Sequence, residues 1–195
     1  MNVLAVDTAT EACSVALLAG DAVVERWQLA PRAHTQWLLP MIAAVLAEAG
    51  CAWSALDGIA FGRGPGAFVG VRIATACAQA LAYAHGLPVA PVSTLAALAH
   101  GAGRTHGATR VLAAIDARMG EIYAGTFAID GDGLVEAIGA ELLVKPEAVA
   151  RPAGDVVGIG SGFATYGDVM RARLAPLVAV DGEALPHASA VARLA

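Results

Sequence analysis

The sequence predicts an α/β fold built from a unit used twice, and three observations carry that expectation. Short apolar runs of strand type alternate with longer stretches of helical periodicity. The run Val3-Leu4-Ala5-Val6-Asp7 is echoed, with one residue inserted, by Val111-Leu112-Ala113-Ala114-Ile115-Asp116. In both copies a strand ends at an aspartate, a bend follows and a second strand runs on. Between the copies, Gly101 to Gly107 is rich in glycine and small polar residues, which places the boundary between residues 1–103 and 108–195.

The totals exclude several function classes. Hydrophobic residues make up 57% of the chain and charged residues 15%, with mean hydropathy +0.64. No uninterrupted apolar run reaches the roughly 20 residues of a membrane helix. The apolar excess is therefore assigned to buried surface, and its alanine content suits close helix packing or a covered interface. No basic segment precedes the first strand, so no secretory signal is expected. Cys13, Cys51 and Cys77 are an odd number without paired spacing, the pattern of buried residues in a reducing cytoplasm. With net charge -5, little lysine and scattered arginines, unaided binding to RNA or DNA is not expected.

Taken in order, Val3–Val6, Cys13–Leu18 and Ala22–Leu29 read as a three-stranded antiparallel meander with a turn at Gly20-Asp21. Asp7 and Thr8 sit at its first bend. Their side chains suit a phosphate or hydrated metal, or the turn's own backbone groups, and the turn role is favoured. Thr35 to Ala49 has Leu38, Ile42, Val45, Leu46 and Ala49 on one helical face; Pro40 marks a helix start or a bend, and Gly50 a stop. His34 reads as a solvated or helix-end residue.

Gly62-Arg63-Gly64-Pro65-Gly66-Ala67-Phe68-Val69-Gly70-Val71-Arg72 lies between an apolar run and a helix to about His85. Such a junction is either an anion cradle at a helix start or a sharp turn whose glycines give clearance, and clearance is favoured. It lacks the Gly-Lys-Ser/Thr of a Walker loop. Val69, Ile73, Cys77, Ala80, Leu81 and Ala84 share one face of the helix, and alanines fill the others. Leu87 to Val92 reads as a strand, and Ser93 caps a third helix through Ala99. In the second half, Ile122–Ala128 and Leu134–Val144 read as strand and Pro146–Arg151 as a short helix. The strand Val156–Ile159 then enters a second glycine turn, Gly160-Ser161-Gly162, ahead of a helix through Leu174. No site is read after Pro186.

Six stretches occur in an order that resembles the TsaB family, formerly YeaZ. They are Val6-Asp7-Thr8-Ala9-Thr10, Pro31-Arg32-Ala33-His34-Thr35, the loop from Gly62 to Arg72, Val92-Ser93-Thr94-Leu95, Ile115-Asp116-Ala117-Arg118 and Gly120-Glu121-Ile122-Tyr123. The family takes part in making threonylcarbamoyladenosine next to the tRNA anticodon. The resemblance implies the actin-like ATPase fold of sugar kinases and heat-shock chaperones, with two related lobes, each a mixed sheet flanked by helices. It places Asp7-Thr8 and Asp116-Ala117-Arg118 as phosphate hairpins, and Gly160-Ser161-Gly162 near where active members hold adenosine.

The same resemblance argues against catalysis. The catalytic relative TsaD carries Val-Asn-His-x-x-x-His, whose histidines share one helix face and hold a metal. Here the stretch is Val92-Ser93-Thr94-Leu95-Ala96-Ala97-Leu98, so Thr94 and Leu98 stand at the ligand positions and no metal site is expected. His100 and His106 lie off that register. Ala67 and Val69 replace the two hydroxyl residues usual in the family's glycine loop, which turns the loop from nucleotide binding towards packing. The chain also ends sooner than is usual in the family.

The resulting expectation is a cytoplasmic, non-catalytic scaffold that needs no cofactor. It pairs with TsaD through the helices 35–49 and 68–84, helps recruit the ATPase TsaE, reaches tRNA only through that complex and forms a homodimer alone. The expected interface residues are Leu38, Ile42, Val45, Phe68, Val69, Arg72, Ile73, Ala76 and Ala80. The alternative is an active phosphotransferase using ATP or ADP with magnesium at Asp7 or Asp116, although no carboxylate is assignable as its base. A glycoprotease would need the absent histidine pair.

Overall fold

Val3 to Val6 is apolar without alternation because its strand is covered on both faces. In the computed structural model, which describes residues 1–195, this strand is β1 (Asn2–Asp7). It joins β2 (Ala12–Ala19), β3 (Ala22–Leu29), β4 (Gly58–Gly62) and β5 (Val89–Val92) in a sheet ordered β3-β2-β1-β4-β5. The first three strands form the expected antiparallel meander, with Asp7 opposite Ser14, and β1, β4 and β5 run parallel.

The helices α1 (His34–Glu48) and α2 (Phe68–His85) pack against this sheet. The face of α1 carrying Leu38, Met41, Ile42, Val45 and Leu46 is buried. At roughly 2 kcal/mol for each large apolar side chain removed from water, that face alone holds the helix in place. Pro40 lies inside α1 on its exposed side, so the helix starts at His34, ahead of the proline. The buried stripe of α2 is Gly70, Ala74, Ala78 and Ala82, which is rotated from the expected face. Val69, Ala80 and Ala84 are exposed, while Ile73, Cys77 and Leu81 are half-buried. Small residues occupy the stripe because they let the helix axis approach the sheet closely; Ile73, Cys77 and Leu81 flank it.

The chain divides into one unit of Met1–Ala97 with Pro186–Ala195 and another of Leu98–Leu185. The division thus falls within α3 (Thr94–His106) rather than between residues 103 and 108. The Ser93 hydroxyl accepts the Ala96 N–H as a cap, as expected, but the helix runs on past Ala99 to His106. Gly101 and Gly103 are therefore helical. A Cβ on Gly103 would come 2.9 Å from Ile129, so this glycine serves close packing rather than a linker. Gly107, at φ 61°, follows the helix.

In the second unit, β6 (Arg110–Arg118), β7 (Glu121–Ile129), β8 (Val135–Ala137), β9 (Leu142–Val144), β10 (Val157–Ile159) and β11 (Ala179–Asp181) form one sheet. Its path β8-β7-β6-β10-β11 repeats the order of the first unit, and β9 also pairs with β7. β6 pairs antiparallel with β7, whereas β10 runs parallel to both β6 and β11. The strand–aspartate echo is therefore structural: β6 takes the place of β1, and Asp116 that of Asp7. This is the actin-like α/β fold. The stretch after the second glycine turn breaks into α4 (Ser161–Thr165) and α5 (Gly167–Leu174) at Tyr166, and Pro146–Ala148 forms one 3-10 turn.

The end of the chain returns to the first unit as α6 (Ala188–Arg193). Its Ala188, Val191 and Ala192 pack with Val3, Ala5, Ala16 and Ala60. Glu25 accepts the Ser189 N–H and hydroxyl, each at 2.9 Å, and meets His187 at 3.2 Å. Ser14 donates to Glu25 and accepts the Ala188 N–H at 2.8 Å. Trp27 stacks on His187 with ring centres 5.5 Å apart.

Candidate functional site

In the first unit the sequence brings Asp7, Thr8 and the glycine loop together. Asp7 is buried, and its Oδ1 accepts the Ala9 N–H at 2.9 Å, the turn role favoured by its position. Its Oδ2 has no hydrogen-bond partner. Burial pushes the carboxyl up to about 6, against the lowering effect of the Ala9 N–H and of His187. The Thr8 hydroxyl, fully buried, donates to the Gly70 carbonyl at 2.7 Å. The Ala67 N–H, at the start of α2, donates to the Ala9 carbonyl at 2.7 Å.

The glycines explain this contact. A Cβ on Gly62 would lie 1.8 Å from Asp7 Oδ2, one on Gly66 2.2 Å from the Ala9 carbonyl, and one on Gly70 2.0 Å from the Thr8 carbonyl. Three glycines at fourfold spacing thus lie flush against three consecutive residues of the hairpin. The loop's glycines give clearance to the hairpin. Two more of its backbone groups are engaged: the Arg63 N–H donates to the Val92 carbonyl, and the Gly64 carbonyl accepts the Thr94 N–H. His34 is buried rather than solvated, and its Nε2 lies 2.9 Å from the Thr10 carbonyl, tying α1 to the same hairpin.

The second unit repeats the arrangement with different chemistry. Asp116 Oδ1 accepts the Arg118 N–H at 2.8 Å and the Tyr166 hydroxyl at 3.2 Å, and Oδ2 meets Arg118 Nη1 at 3.1 Å. Ser161 Oγ accepts the Asp116 N–H at 3.1 Å. Burial and the Asp116 charge hold the Tyr166 phenol above its ordinary range. Gly160, at φ 99°, and Gly162 press on Ala114, where added Cβ atoms would come within 2.5 and 2.9 Å. Asp116, Arg118 and Ser161 are brought together as the sequence indicates; Tyr166 had no signal in its own neighbourhood.

Thr94 and Leu98, at the positions of the histidine pair, are both buried, and the Thr94 hydroxyl has no hydrogen-bond partner. No group of three or more His, Cys, Asp or Glu side chains is arranged to hold a metal. No helix is long and apolar enough to cross a membrane. Of the residues expected at an interface, Leu38, Ile42 and Val45 lie in the core of the first unit, so they are corrected to packing residues. Ile73 is half-buried against the same core. Phe68, Val69, Arg72, Ala76 and Ala80 do face outward, and Arg72 lies over the Phe68 ring. Tyr83, 93% exposed, extends this face, while Trp37 and Leu39 are exposed on α1. Sequence periodicity marked one apolar face per helix and so missed these residues on the opposite sides.

Comparison with known proteins agrees with the geometry. The family model described as TsaD, tRNA N6-adenosine threonylcarbamoyltransferase, matches residues 28–159. The tRNA threonylcarbamoyladenosine biosynthesis protein TsaB of Escherichia coli is 45% identical over 189 residues, covering 95% of this chain and 81% of that protein. The protein of the same name from Haemophilus influenzae is 50% identical over 123 residues, a match to 63% of this chain and only 52% of the relative. Among solved structures, YeaZ from Pseudomonas aeruginosa superposes with TM-score 0.93 at 49% identity, covering 99% of this chain and 89% of that one.

Proposed function

The chain belongs to the TsaB family of tRNA threonylcarbamoyladenosine biosynthesis proteins, and from that premise we propose that it works as a non-catalytic scaffold subunit. It pairs with a TsaD-type, metal-bearing transferase and helps recruit a TsaE-type ATPase in the cytoplasm. In isolation the same face closes a homodimer.

The observation that carries this reading is the outward face of α2. Phe68, Val69 and Tyr83 are 70%, 66% and 93% exposed, and Arg72, Ala76 and Ala80 lie beside them. Phe68 and Val69 at the start of α2 and Tyr83 near its end, joined along one side by Arg72, Ala76 and Ala80, suit a covered surface. Their burial against a partner is worth roughly 1.5–3 kcal/mol for each large side chain. Several polar groups that a nucleotide would use are engaged within the protein, Thr8 with Gly70, Ser161 with Asp116, and Asp116 with Arg118 and Tyr166, while Asp7 Oδ2 is buried without a partner. The net charge of -5 favours reaching tRNA through a partner.

The test is analytical ultracentrifugation of the wild type and Phe68→Asp, alone and with the TsaD-type protein of the same organism. Phe68→Asp is expected to abolish both self-association and the mixed species while leaving the monomer folded. Undiminished pairing would overturn the assignment of this face.

A further inference from the structure

The second unit holds a cavity of about 290 Å³, away from the Asp116 hairpin. Its walls come from the later half of α3, the turn that follows it and the turn between β7 and β8. His100 and Arg104 line it from one side of α3, because residues four apart share a helix face. A Cβ on Gly103 would come 2.9 Å from Ile129 Cδ1, so the helix lies close on the end of β7. Ile129, 7% exposed, gives the cavity an apolar floor. His100 is equally buried, whereas Arg104 and Asp130 reach solvent.

The charges in the lining are not paired with each other. Asp130 Oδ1 accepts the Asp132 N–H at 3.0 Å and the Leu134 N–H at 2.8 Å, which fixes the carboxylate in the β7–β8 turn. Its Oδ2 is left over. The Arg104 guanidinium makes no hydrogen bond or ion pair within the protein. His106, two residues on, is instead spent on Asp181 at 3.6 Å. One small cavity is thus lined by an unspent cation and an unspent anion held apart. A simple anion would gain from Arg104 but meet Asp130 and the negative end of the α3 dipole. A simple cation would gain from Asp130 and leave Arg104 facing a like charge. Only a ligand carrying both signs satisfies both walls.

We propose that this cavity binds a free amino acid with a small side chain. Its carboxylate meets the Arg104 guanidinium, the side chain known for binding carboxylates with two parallel hydrogen bonds. Its ammonium group meets Asp130 Oδ2 at the C-terminal end of α3, where a positive group is favoured. Its side chain lies over Ile129. The volume equals that of roughly ten water molecules, which accommodates such a ligand and no macromolecule. The site lies wholly in the second unit and stands or falls independently of the scaffold reading.

The test is a titration of the wild-type chain with L-alanine and L-serine, read from the amide NMR signals of Gly103, Thr109 and Gly131. Acetate and methylammonium, each carrying half of the zwitterion's charge, are the controls. Binding near about 1 mM is expected for the amino acids, and at least tenfold weaker binding for either control. Arg104→Gln and Asp130→Asn are each expected to weaken L-serine at least tenfold while melting as the wild type does. Asp130→Asn keeps the Oδ1 acceptor of the turn, so its loss of binding reports the charge. No shift of these amides at about ten times that concentration overturns the proposal. Acetate binding as tightly as L-serine overturns it in favour of a plain anion site. Unchanged binding in both variants shows an adventitious additive only and overturns it as well.

Discussion

Replacing Gly70 by alanine separates the two uses of the glycine loop by sign. In an open helix, glycine to alanine stabilises by about 0.5–1 kcal/mol, because the unfolded chain loses freedom and the helix gains propensity. At Gly70 the added Cβ would lie 2.0 Å from the Thr8 carbonyl, at least 1 Å inside ordinary contact, and the obstacle is backbone that cannot rotate away. Relief requires α2 to move off the hairpin, which also stretches the 2.7 Å bond from Thr8 Oγ1 to the Gly70 carbonyl. Overpacking combined with a weakened buried hydrogen bond is expected to cost about 3–5 kcal/mol. For a chain of this size that lowers Tm by roughly 6–20 °C. Gly101→Ala provides the internal control: Gly101 lies within α3 with nothing within 4 Å of its Cβ position, and its replacement is expected to raise stability. Urea denaturation of the two variants decides the matter. If Gly70→Ala is as stable as Gly101→Ala, the glycines are not there for packing against the hairpin, and the case against an anion cradle fails.

Further outcomes follow from the same geometry. Because burial raises the Asp7 carboxyl from an ordinary 3.8 to about 6, its ionisation opposes folding: the penalty is absent below pH 3.8 and grows to about 3 kcal/mol above pH 6. Asp7→Asn should therefore gain on the wild type as pH rises from 4 to 7, and parallel unfolding curves across that range would contradict this. Glu25, despite its burial, is held below its ordinary value by His187 and the Ser189 donors, so its contribution is present at neutral pH and lost as pH falls through that lowered value. Glu25→Ala should cost about 2–3 kcal/mol and speed amide exchange across Ala188–Arg193 more than across α1. His34→Ala should destabilise by about 1–3 kcal/mol through the exposed Thr10 carbonyl and the cavity left, read by thermal unfolding.

Much of the fold was legible because the local signals were strong. Strand runs bounded by turns marked the meander, and the echo between Val3–Asp7 and Val111–Asp116 matched two sheets of the same order. The i, i+4 pattern of α1 identified its buried face. What failed failed for physical reasons. Alanine looks alike on a buried stripe and an exposed one, so the face of α2 was set by contact with the sheet and not by its own periodicity. Gly103 resembled part of a linker because close packing and chain flexibility both select glycine, whereas Gly101 is helical with open space around it. Leu38, Ile42 and Val45 looked like an interface because a helix face that packs inside a unit has the same periodicity as one that packs between chains. The docking of α6 through Glu25, His187 and Ser189 joins residues more than 160 positions apart, which no local pattern can reveal.

The central claim, that this chain acts through a surface rather than through a reaction, is tested most directly by sedimentation of the purified protein alone and mixed with the TsaD-type protein of the same organism. A self-associated species replaced by a mixed one, lost in Phe68→Asp, is the predicted result. No mixed species, together with ATP turnover by the chain alone that Asp7→Asn abolishes, would contradict it.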